Sequence, residues 1–454
     1  MTRVAKSRFS PLVFCLLLLG CTSSPPRDLV FVSYDTVRRD HLPTYGYERD
    51  TAPALASLEK SAAVFWNAFS QHTQTDPSHT SMFTGVYPHE HGSQINGHRL
   101  AEGRVTLAEI LRKAGFQTAA FVSGLPMQAK ATGLDRGFDV YDDRIAENTH
   151  RAGPETVAEA VRWLERRDPT RRSFLFVHLY DAHAPYLPRG RYAGIYRNPD
   201  PGPPIGHVQI GHVVSDRNGV EQRNLNGYVD RYDAMIRCTD DAFAELLPHI
   251  DLKTAILVVI ADHGETLGGR FHQLDHGGEV WDEQIRIPLL IAAPGFSPRR
   301  IEPNVETVDL LPTILDLLGV PVPEGLVHRG RSLVPLLRGE EMEGRDFVFA
   351  SARCDPTRYG DRPYQLDGDR QIDTVRSSDW KLISFPGHDR DYNELYDLEA
   401  DPGERHDVAA KNPLLARSLL QKLDEWRRDS RKSVPTPDID AETRERLRQL
   451  GYIE

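Results

Sequence analysis

The stretch Ala255-Ile-Leu-Val-Val-Ile-Ala261, followed at once by Asp262-His263-Gly264-Glu265, decides the fold. Seven consecutive apolar residues rich in Val and Ile are typical of a strand that is buried on both faces of a parallel sheet. Similar runs occur at residues 28–34, 117–123, 173–179 and 288–293. Segments with helical period lie between these runs. The alternation predicts an α/β fold in which helices cover both faces of the sheet.

Composition and charge limit the classes of function. The chain has 454 residues, 39% of them hydrophobic and 27% charged, which is ordinary for a globular protein with a large core. Its formal net charge is −11 and it has no long basic stretch, so we expect no nucleic-acid partner and no binding to an anionic membrane surface. An anionic substrate can still bind where a metal ion supplies the local positive charge.

The first 21 residues are typical of an export signal. Three basic residues precede an apolar run over residues 11–19 that is too short to span a membrane. The run ends in Gly20-Cys21, a pattern similar to a bacterial lipoprotein signal in which Cys21 carries the lipid. We therefore expect export to the periplasm or outer membrane, with membrane contact only through lipid on Cys21. A plain cleaved signal is the alternative.

The mature chain would keep two cysteines, Cys238 and Cys354. Two cysteines do not make a disulfide framework. They would form one bridge in an oxidising compartment or stay as free thiols, and the sequence leaves both possibilities open.

The sequence pattern changes near residue 340. Segments 347–350, 373–385 and 394–397 are typical of antiparallel strands, and 413–429 is typical of a helix with leucines on one side. We therefore expect an α/β domain over residues 22–340. A small C-terminal subdomain, an antiparallel sheet plus a helix, would cover residues 341–454.

The first candidate for chemistry is Thr75-Asp-Pro-Ser-His79, which leads into a predicted helix. A hydroxyl residue with a proline two positions later places Thr75 at a helix N-terminus, where backbone N–H groups favour an anion. The same residues would also suit a helix cap that carries no chemistry.

Acidic residues and a histidine follow two of the apolar strands. Asp35 ends the first strand, and Asp262 and His263 end the most apolar one. Ligands bind at the carboxyl ends of parallel strands, so we expect Asp35 to lie beside Asp262. Gly264 would permit the sharp turn that adjacent ligands need, and oxygen with imidazole donors suits Zn²⁺ or Mn²⁺. Strand-end Asp residues can also serve only as caps.

Three further residues extend this cluster. Asp181 and His183 follow the strand at 173–179, in a position to touch substrate or a second ion. His276 comes soon after the Asp262 strand. We interpret His178 as a core residue, because it lies inside an apolar run. Residues 187–227, rich in Pro, Gly and Asn, predict a long surface excursion near the site.

Together these segments resemble the sulfatase family of the alkaline-phosphatase superfamily, in the same order and at similar spacing. The resemblance continues at residues 133–139, 232–247, 286–290, 307–313, 330–336, 381–383 and 394–404. It implies a large, mixed, mostly parallel sheet flanked by helices, with a small C-terminal antiparallel sheet and helix. It also implies a metal-bound nucleophile that attacks sulfur or phosphorus in line and displaces the ester oxygen.

The reactive position departs from sulfatases that use formylglycine. Those enzymes have Cys or Ser where this chain has Thr75, and Arg where it has His79. Thr cannot be oxidised to formylglycine because its β-carbon carries a methyl group beside the hydroxyl, so we expect no formylglycine. As a nucleophile, Thr75 would resemble the metal-bound threonine of the superfamily's phosphodiesterases and phosphonate hydrolases, which favours phosphorus.

The metal position departs as well. Sulfatases tend to show two consecutive acids after the first strand and Asp-Asn after the later one, whereas this chain has Asp35-Thr36 and Asp262-His263. Loss of an acid and gain of an imidazole favour Zn²⁺ or Mn²⁺ over Ca²⁺ or Mg²⁺. Carried over by position, one divalent ion would lie between Asp35, Thr75, Asp262 and His263.

The remaining site residues take roles at the substrate. The resemblance implies that His79, His183 and His276 stabilise charge on the transferring group. It also implies that Asp181, His183 and His276 contact the substrate. A second ion held by these last three residues is an alternative, so one ion or two remain open.

We therefore expect hydrolysis of a small sulfate or phosphate ester outside the cytoplasm, with Thr75 as a metal-bound nucleophile. Two other functions stay open. In one, a covalent Thr75 intermediate passes a phosphoryl-linked headgroup to a cell-envelope acceptor. In the other, the chain is a catalytically inactive, sulfatase-like binding protein. Retention of Asp35, Asp262 and His263 argues against inactivity, because a dead site has no physical need for a metal shell.

Overall fold

The computed structural model describes residues 27–145, 150–205, 207–208, 224–268, 273–354, 370–385, 392–429 and 440–449. The predicted export signal over residues 1–21, with Cys21, lies outside these ranges. Within them, none of the helices combines the length and the apolar character needed to cross a membrane.

The strands of the described residues are β1 (Asp28–Tyr34), β2 (Ala63–Phe69), β3 (Gln117–Val122), β4 (Val140–Asp142), β5 (Ser173–Leu179), β6 (His207–Val208), β7 (Ala255–Ala261), β8 (Thr266–Leu267), β9 (Gln273–Asp275), β10 (Arg286–Ala292), β11 (Arg299–Ile301), β12 (Val305–Glu306), β13 (Val348–Cys354), β14 (Arg370–Arg376), β15 (Trp380–Phe385) and β16 (Tyr392–Asp397).

The helices are α1 (Pro53–Leu58), α2 (Thr75–Thr84), α3 (Pro88–His91), α4 (Leu107–Lys113), α5 (Ala129–Thr132), α6 (Gly153–Arg166), α7 (Leu225–Leu246), α8 (Asp282–Ile285), α9 (Leu310–Leu318), α10 (Val334–Arg338), α11 (Pro413–Asp429) and α12 (Ala441–Gln449).

A nine-stranded sheet forms the centre of the molecule, in the order β11-β2-β10-β7-β1-β5-β3-β4, with β12 also paired to β2. Strand β1 pairs in parallel with β5 on one side and with β7 on the other, along its full length. Strand β10 runs antiparallel to both of its neighbours, β2 and β7. The predicted large, mixed, mostly parallel sheet is therefore confirmed.

The three central strands are buried on both faces, as their apolar sequences require. Every residue of β1, β5 and β7 is buried. Helix α6 packs on β3 and β5 and also on α7. Helix α7 begins at Leu225, whereas its apolar period predicts a start only near Met235. Leu225, Tyr228, Val229 and Tyr232 do recur at helical spacing, and Tyr228 and Tyr232 are buried, so the sequence carried a signal for the earlier start. The predicted excursion over 187–227 therefore ends three residues earlier, at Asn224.

The C-terminal subdomain is confirmed as an antiparallel sheet with a helix. Strands β13 to β16 pair in sequence order. Helix α11 packs on this sheet, and its Leu419 and Leu423 lie in one apolar cluster with Val375 and Leu382 of the strands. The subdomain also joins the large sheet, because the Ser351 amide donates to the Gln71 carbonyl at 3.0 Å. The domain boundary at residue 340 stays a prediction.

Candidate active site

Two buried carboxylates meet at the carboxyl edge of the central sheet. Tyr34 of β1 lies opposite Ala261 of β7, so the residues that follow, Asp35 and Asp262, leave the sheet side by side. Both side chains are fully buried. The structure thus brings together the two acids that the strand-end argument predicts as neighbours.

Backbone amides donate hydrogen bonds to one carboxylate oxygen of Asp262 and not to the other. Thr36 has a positive φ of 56°, a conformation that is uncommon for a residue other than glycine. Its amide donates to Asp262 Oδ1 at 3.1 Å, and the His263 amide donates to the same oxygen at 2.8 Å. Asp262 Oδ2 is buried and has no hydrogen-bond partner.

Thr75 lies where the sequence predicts it, as the first residue of α2. Its hydroxyl is buried and donates to Asp35 Oδ2 at 3.3 Å. The same oxygen accepts from His178 Nε2 at 3.0 Å. Asp35 Oδ1 is buried without a hydrogen-bond partner. Burial and the neighbouring Asp262 raise the pKa of the Asp35 carboxyl well above its usual value.

The imidazole of His263 presents a lone pair to these carboxylates. Its Nδ1 lies 2.9 Å from the Gly264 carbonyl oxygen, which can only accept, so Nδ1 carries the proton. Burial lowers the pKa of His263 to about 4, so the ring is neutral. Its Nε2 is therefore an acceptor, 3.5 Å from Asp262 Oδ2, and it has no hydrogen-bond partner.

These acceptors fit a divalent cation. One ligand atom each from Asp35, Asp262 and His263 lies within 4.8 Å of the others. Asp35 Oδ1, Asp262 Oδ2 and His263 Nε2 are buried acceptors without a donor, an arrangement that is costly unless a cation satisfies it. Carboxylate oxygen with imidazole nitrogen is a donor set that suits Zn²⁺ or Mn²⁺. We call Asp35, Thr75, Asp262 and His263 the ion centre.

His79 lies behind the ion centre with both ring nitrogens engaged. Nδ1 donates to the Thr75 carbonyl at 2.7 Å, and Nε2 accepts from the Ser33 hydroxyl at 2.8 Å. Burial lowers the pKa of His79 to about 4, which agrees with this neutral form. The contacts favour positioning of the first turn of α2 over direct contact with the transferring group, so the predicted charge-stabilising role stays untested.

A second group of ligand atoms, from His79, His178 and Asp262, also lies within 4.8 Å. His79 has no nitrogen left for an ion there, which makes this group the weaker of the two. Asp181, His183 and His276 are all described, and they form no such group. The structure therefore offers nothing for the second ion that these three residues would hold, and the choice between one ion and two stays a prediction.

His276 and His183 lie next to the ion centre. The His276 ring stacks on that of His263 with centroids 4.7 Å apart, and the His183 ring meets His276 edge-on at 4.9 Å. His276 Nδ1 lies 3.2 Å from Glu265 Oε2, which also accepts from the Tyr186 hydroxyl at 3.0 Å. The carboxylate of Glu265 thus orients His276.

The observed contacts of the Asp181 side chain are with α6 and α7 and not with the ion centre. Its Oδ1 accepts from the Gly153 amide at the start of α6, at 3.0 Å, and lies 3.9 Å from Cys238 Sγ. Oδ2 is buried without a hydrogen-bond partner. The observed contacts are those of a helix-capping residue, and the predicted contact with substrate stays a prediction. Cys238 is a free thiol, which leaves unpaired the one cysteine whose side chain is described.

Gly264 is needed for a reason other than the expected sharp turn. Its backbone lies outside the left-handed region. A β-carbon at this position would lie 2.0 Å from the Glu283 carbonyl oxygen and 3.2 Å from Arg38 Cγ. Close packing of the loop against α8 explains the glycine, and the expected turn stays a prediction.

Sequence reasoning missed His178, Glu265 and Tyr186. His178 is buried in β5, as the interpretation as a core residue predicts, but the contact of its Nε2 with Asp35 was not predicted. A titratable ring next to the end of an apolar strand was a usable signal, since it falls at the ligand-binding edge. Tyr186 carries no such signal, because its contact with Glu265 joins loops 79 residues apart.

Comparisons with known proteins agree with this geometry. The family model described as Sulfatase matches residues 27–320, which is more than half of the chain. A model described as N-sulphoglucosamine sulphohydrolase, C-terminal, matches residues 274–429. The two matches together span the nine-stranded sheet and the C-terminal sheet.

Individual relatives are distant but cover most of the chain. An ulvan-active sulfatase of Formosa agariphila is 25% identical, over 85% of this chain and 77% of its own length. An N-acetylglucosamine-6-O-sulfatase of Bacteroides thetaiotaomicron is 23% identical, over 95% and 93%. The crystal structure of a phosphonate monoester hydrolase of Agrobacterium radiobacter superposes with a TM-score of 0.72 and 20% identity, over 89% of this chain and 96% of that one.

The structural likeness shows the fold alone, and the sequence relatives and the family model extend it to the chemistry. The central sheet, the C-terminal sheet and helix, and the strand-end acids all occur in the order that the sequence resemblance implies. The protein is a sulfatase-like ester hydrolase, and the chain belongs to the sulfatase family.

Proposed function

We propose that this protein hydrolyses small sulfate or phosphate esters outside the cytoplasm, with Thr75 as the nucleophile at a divalent ion. The observation that carries the proposal is the set of three buried acceptors beside the Thr75 hydroxyl: Asp35 Oδ1, Asp262 Oδ2 and His263 Nε2. Sulfate-ester cleavage is supported by the names of the sequence relatives. Phosphorus chemistry is supported by the threonine at the reactive position and by the phosphonate hydrolase neighbour.

Thr75 is held for attack by the elements around it. The hydroxyl donates to Asp35 Oδ2, which gives the proton a carboxylate acceptor at 3.3 Å. His79 holds the Thr75 carbonyl through its protonated Nδ1. Thr75 is the first residue of a ten-residue helix, and the positive end of the helix dipole favours the negative charge of the ester.

Asp35, Thr75, Asp262 and His263 would hold the ion, which when bound supplies positive charge for the ester oxygens and lowers the pKa of the nucleophile's hydroxyl. Zn²⁺ and Mn²⁺ match this donor set better than Ca²⁺, because an imidazole replaces one of the oxygen donors. Thr75 cannot form formylglycine, so its hydroxyl itself must react.

Two imidazoles stand where charge develops on the transferring group. His276 stacks on His263, and His183 contacts His276 edge-on. Glu265 accepts a hydrogen bond from His276 Nδ1, which leaves Nε2 directed elsewhere as a donor when the ring is protonated. Such donors favour the transition state when they are fixed before the reaction, and the Glu265 contact fixes His276.

The test uses the full chain loaded in turn with Zn²⁺, Mn²⁺, Ca²⁺ or Mg²⁺. Aryl sulfate, phosphate monoester, phosphodiester and phosphonate substrates would be assayed with wild type, Thr75→Val and Thr84→Val. Valine removes the hydroxyl at constant shape, and Thr84 is the matched control because its hydroxyl only bonds the Thr80 carbonyl at the other end of α2. We expect about a 10³-fold loss of kcat for Thr75→Val or more, and little change for Thr84→Val.

Two outcomes would contradict the proposal. Thr75→Val with full activity would remove Thr75 from the chemistry, and a metal-loaded wild type that cleaves none of the esters would remove the activity. Mass spectrometry of the acid-quenched enzyme should show a sulfated or phosphorylated peptide that includes Thr75 in wild type only. Export is tested separately: metabolic labelling with a fatty acid should mark the wild type and not Cys21→Ala.

A further inference from the structure

A second cleft opens at the same edge of the sheet, between the large domain and the C-terminal subdomain. Its volume is about 460 Å³, and its walls come from residues 38–41, 281–286 and 402–405. Cavities of about 300–1,000 Å³ are the usual size for small-molecule sites. We call this the arginine cleft, because Arg39, Arg286 and Arg405 line it.

The acidic residues of the arginine cleft already have partners. Asp282 binds Lys381 at 2.9 Å and Arg376 at 3.0 Å, and Glu404 binds Lys381 at 2.7 Å. Burial alone would raise the pKa of the Asp282 carboxyl. The positive charges of Arg376 and Lys381 outweigh burial and hold this pKa well below its usual value. Arg376 and Lys381 therefore balance the negative charges of Asp282 and Glu404.

The other acidic pair in the wall, Asp40 and Glu283, shares one cation. Arg38 binds Asp40 at 2.7 Å and Glu283 at 2.8 Å. Arg38 also donates to the Glu265 carbonyl at 3.0 Å, which holds it against the loop of the ion centre. Arg38 balances one of these two negative charges. With Arg376 and Lys381 included, the described residues at the cleft still supply six cationic side chains (Arg38, Arg39, Arg286, Arg405, Arg376 and Lys381) against four carboxylates (Asp40, Asp282, Glu283 and Glu404), which leaves an excess of positive charge.

Arg39, Arg286 and Arg405 are not paired with acids. In the part of the chain that the structure describes, none of them has a carboxylate oxygen within 4.0 Å. Arg39 is held by the Trp66 carbonyl at 2.5 Å and lies over the Trp66 ring, 4.9 Å from its centroid. Arg286 contacts the Asn67 side chain, and its Nε is buried without a partner.

The two inner arginines repel each other. Burial, and then the neighbouring Arg39, lower the pKa of Arg286 to about 10. Arg286 still carries its positive charge at neutral pH. Two half-buried guanidinium groups that line one cleft are stabilised when an anion binds there, because an oxyanion accepts forked hydrogen bonds from arginine. Arg405 adds a third, exposed guanidinium at the rim.

We propose that the arginine cleft is a second binding site, for a sugar-sized ligand that carries a sulfate, phosphate or carboxylate group. The site is distinct from the ion centre because the loop over residues 262–266 separates them, with the Gly264 amide bound to the Gln284 carbonyl at 2.7 Å. The cleft is larger than one inorganic ion requires, so the oxyanion is part of a larger molecule.

The test is calorimetric titration of full-length, metal-loaded Thr75→Val protein, which does not turn substrate over. Glucose 6-sulfate, glucose 6-phosphate and glucuronate are the probes, and glucose is the neutral control. We expect two bound equivalents for at least one anionic probe. Arg405→Glu should reduce this to one, and Arg39→Gln should weaken the same site at least tenfold. Arg300→Gln is the control, since Arg300 also lies over Trp66 but outside the cleft.

Arg405 is exposed, so its replacement tests the site without endangering the fold. In a chain that keeps Thr75, Arg405→Glu should leave kcat/KM for a small aryl ester within twofold of wild type. The proposal fails if the stoichiometry and both affinities match those of the parent. It also fails if Arg405→Glu lowers ester turnover, because the arginines would then belong to the catalytic site. The relative affinities of the three probes identify the oxyanion.

Discussion

The ion centre and the arginine cleft lie at one edge of the same sheet. The ion centre has acceptors that lack a donor, and the cleft has cationic donors that lack an acidic partner. In the ion centre, Asp35, Asp262 and His263 present buried acceptors without donors. In the cleft, Arg39 and Arg286 present donors without an acidic partner among the described residues. One short loop, residues 262–266, separates the two regions. The comparison teaches that the charge of the ligand follows from the charge of the side chains that lack a partner, and not from the position of the site in the fold.

The largest effect should come from Asp262→Asn, which breaks the acceptor character of the ion centre. Asparagine keeps the Oδ1 that accepts from Thr36 and His263, and its amide nitrogen can donate to His263 Nε2. We expect ester turnover to fall about 10³-fold or more, because the ion loses a charged ligand. The metal-free variant should melt at or above the temperature of metal-free wild type. If the metal-free variant melts at a lower temperature than metal-free wild type, the inference that the ion centre has acceptors without donors is contradicted.

Lys381→Met tests whether the acids of the arginine cleft are already neutralised. Lys381 is fully buried between Asp282 and Glu404, so its loss leaves Glu404 without its cation. We expect the free energy of unfolding to drop by about 3–5 kcal/mol. The control is Lys422→Met, whose exposed partner is Glu425 and whose loss should cost less than about 1 kcal/mol. Equal effects of the two changes, measured by urea unfolding, would contradict this assignment.

Metal removal separates the two regions further. Chelation should lower the melting temperature, by the equivalent of about 4 kcal/mol where the free ion had exceeded its dissociation constant a thousandfold. The chelated protein should still be stabilised by glucose 6-sulfate, because the arginine cleft needs no ion. Differential scanning calorimetry with and without chelator measures both effects. If glucose 6-sulfate no longer stabilises the chelated protein, the anion binds at the ion centre and the two sites are one.

The smallest effect should come from Arg286→Met. Removing one of two mutually repelling arginines should change the free energy of unfolding by no more than about 0.5 kcal/mol at physiological salt. Wild type should gain more stability than the variant on addition of sulfate, as thermal melts at constant ionic strength would show. A large destabilisation would mean that Arg286 serves packing rather than ligand binding.

Much of the fold was accessible to sequence reasoning because the strands are strongly apolar. β1, β5 and β7 are buried along their whole lengths and read as continuous runs. The helix over 413–429 shows its buried leucines at helical spacing and is observed over the same residues as α11. The start of α7 was missed because it adjoins a stretch rich in Pro, Gly and Asn, although Tyr228 and Tyr232 are buried at helical spacing.

The candidate site was accessible only in part. Asp35, Thr75, Asp262 and His263 follow from strand ends, a helix start and family resemblance, and the structure brings them together. Asp181 turns instead toward α6, and both nitrogens of His79 bind protein groups. Side-chain direction depends on which loop packs against the residue, and strand periodicity does not report it.

By itself, the sequence determined the α/β class, the family, and which residues would end the central strands, because burial periodicity and local turn chemistry are written along the chain. Only the tertiary structure decided that Arg39, Arg286 and Arg405 line one cleft and that Glu265 orients His276. These contacts join residues that are far apart in sequence or on separate loops. Their geometry depends on how the C-terminal subdomain and the strand-end loops pack on the sheet, which no local pattern encodes.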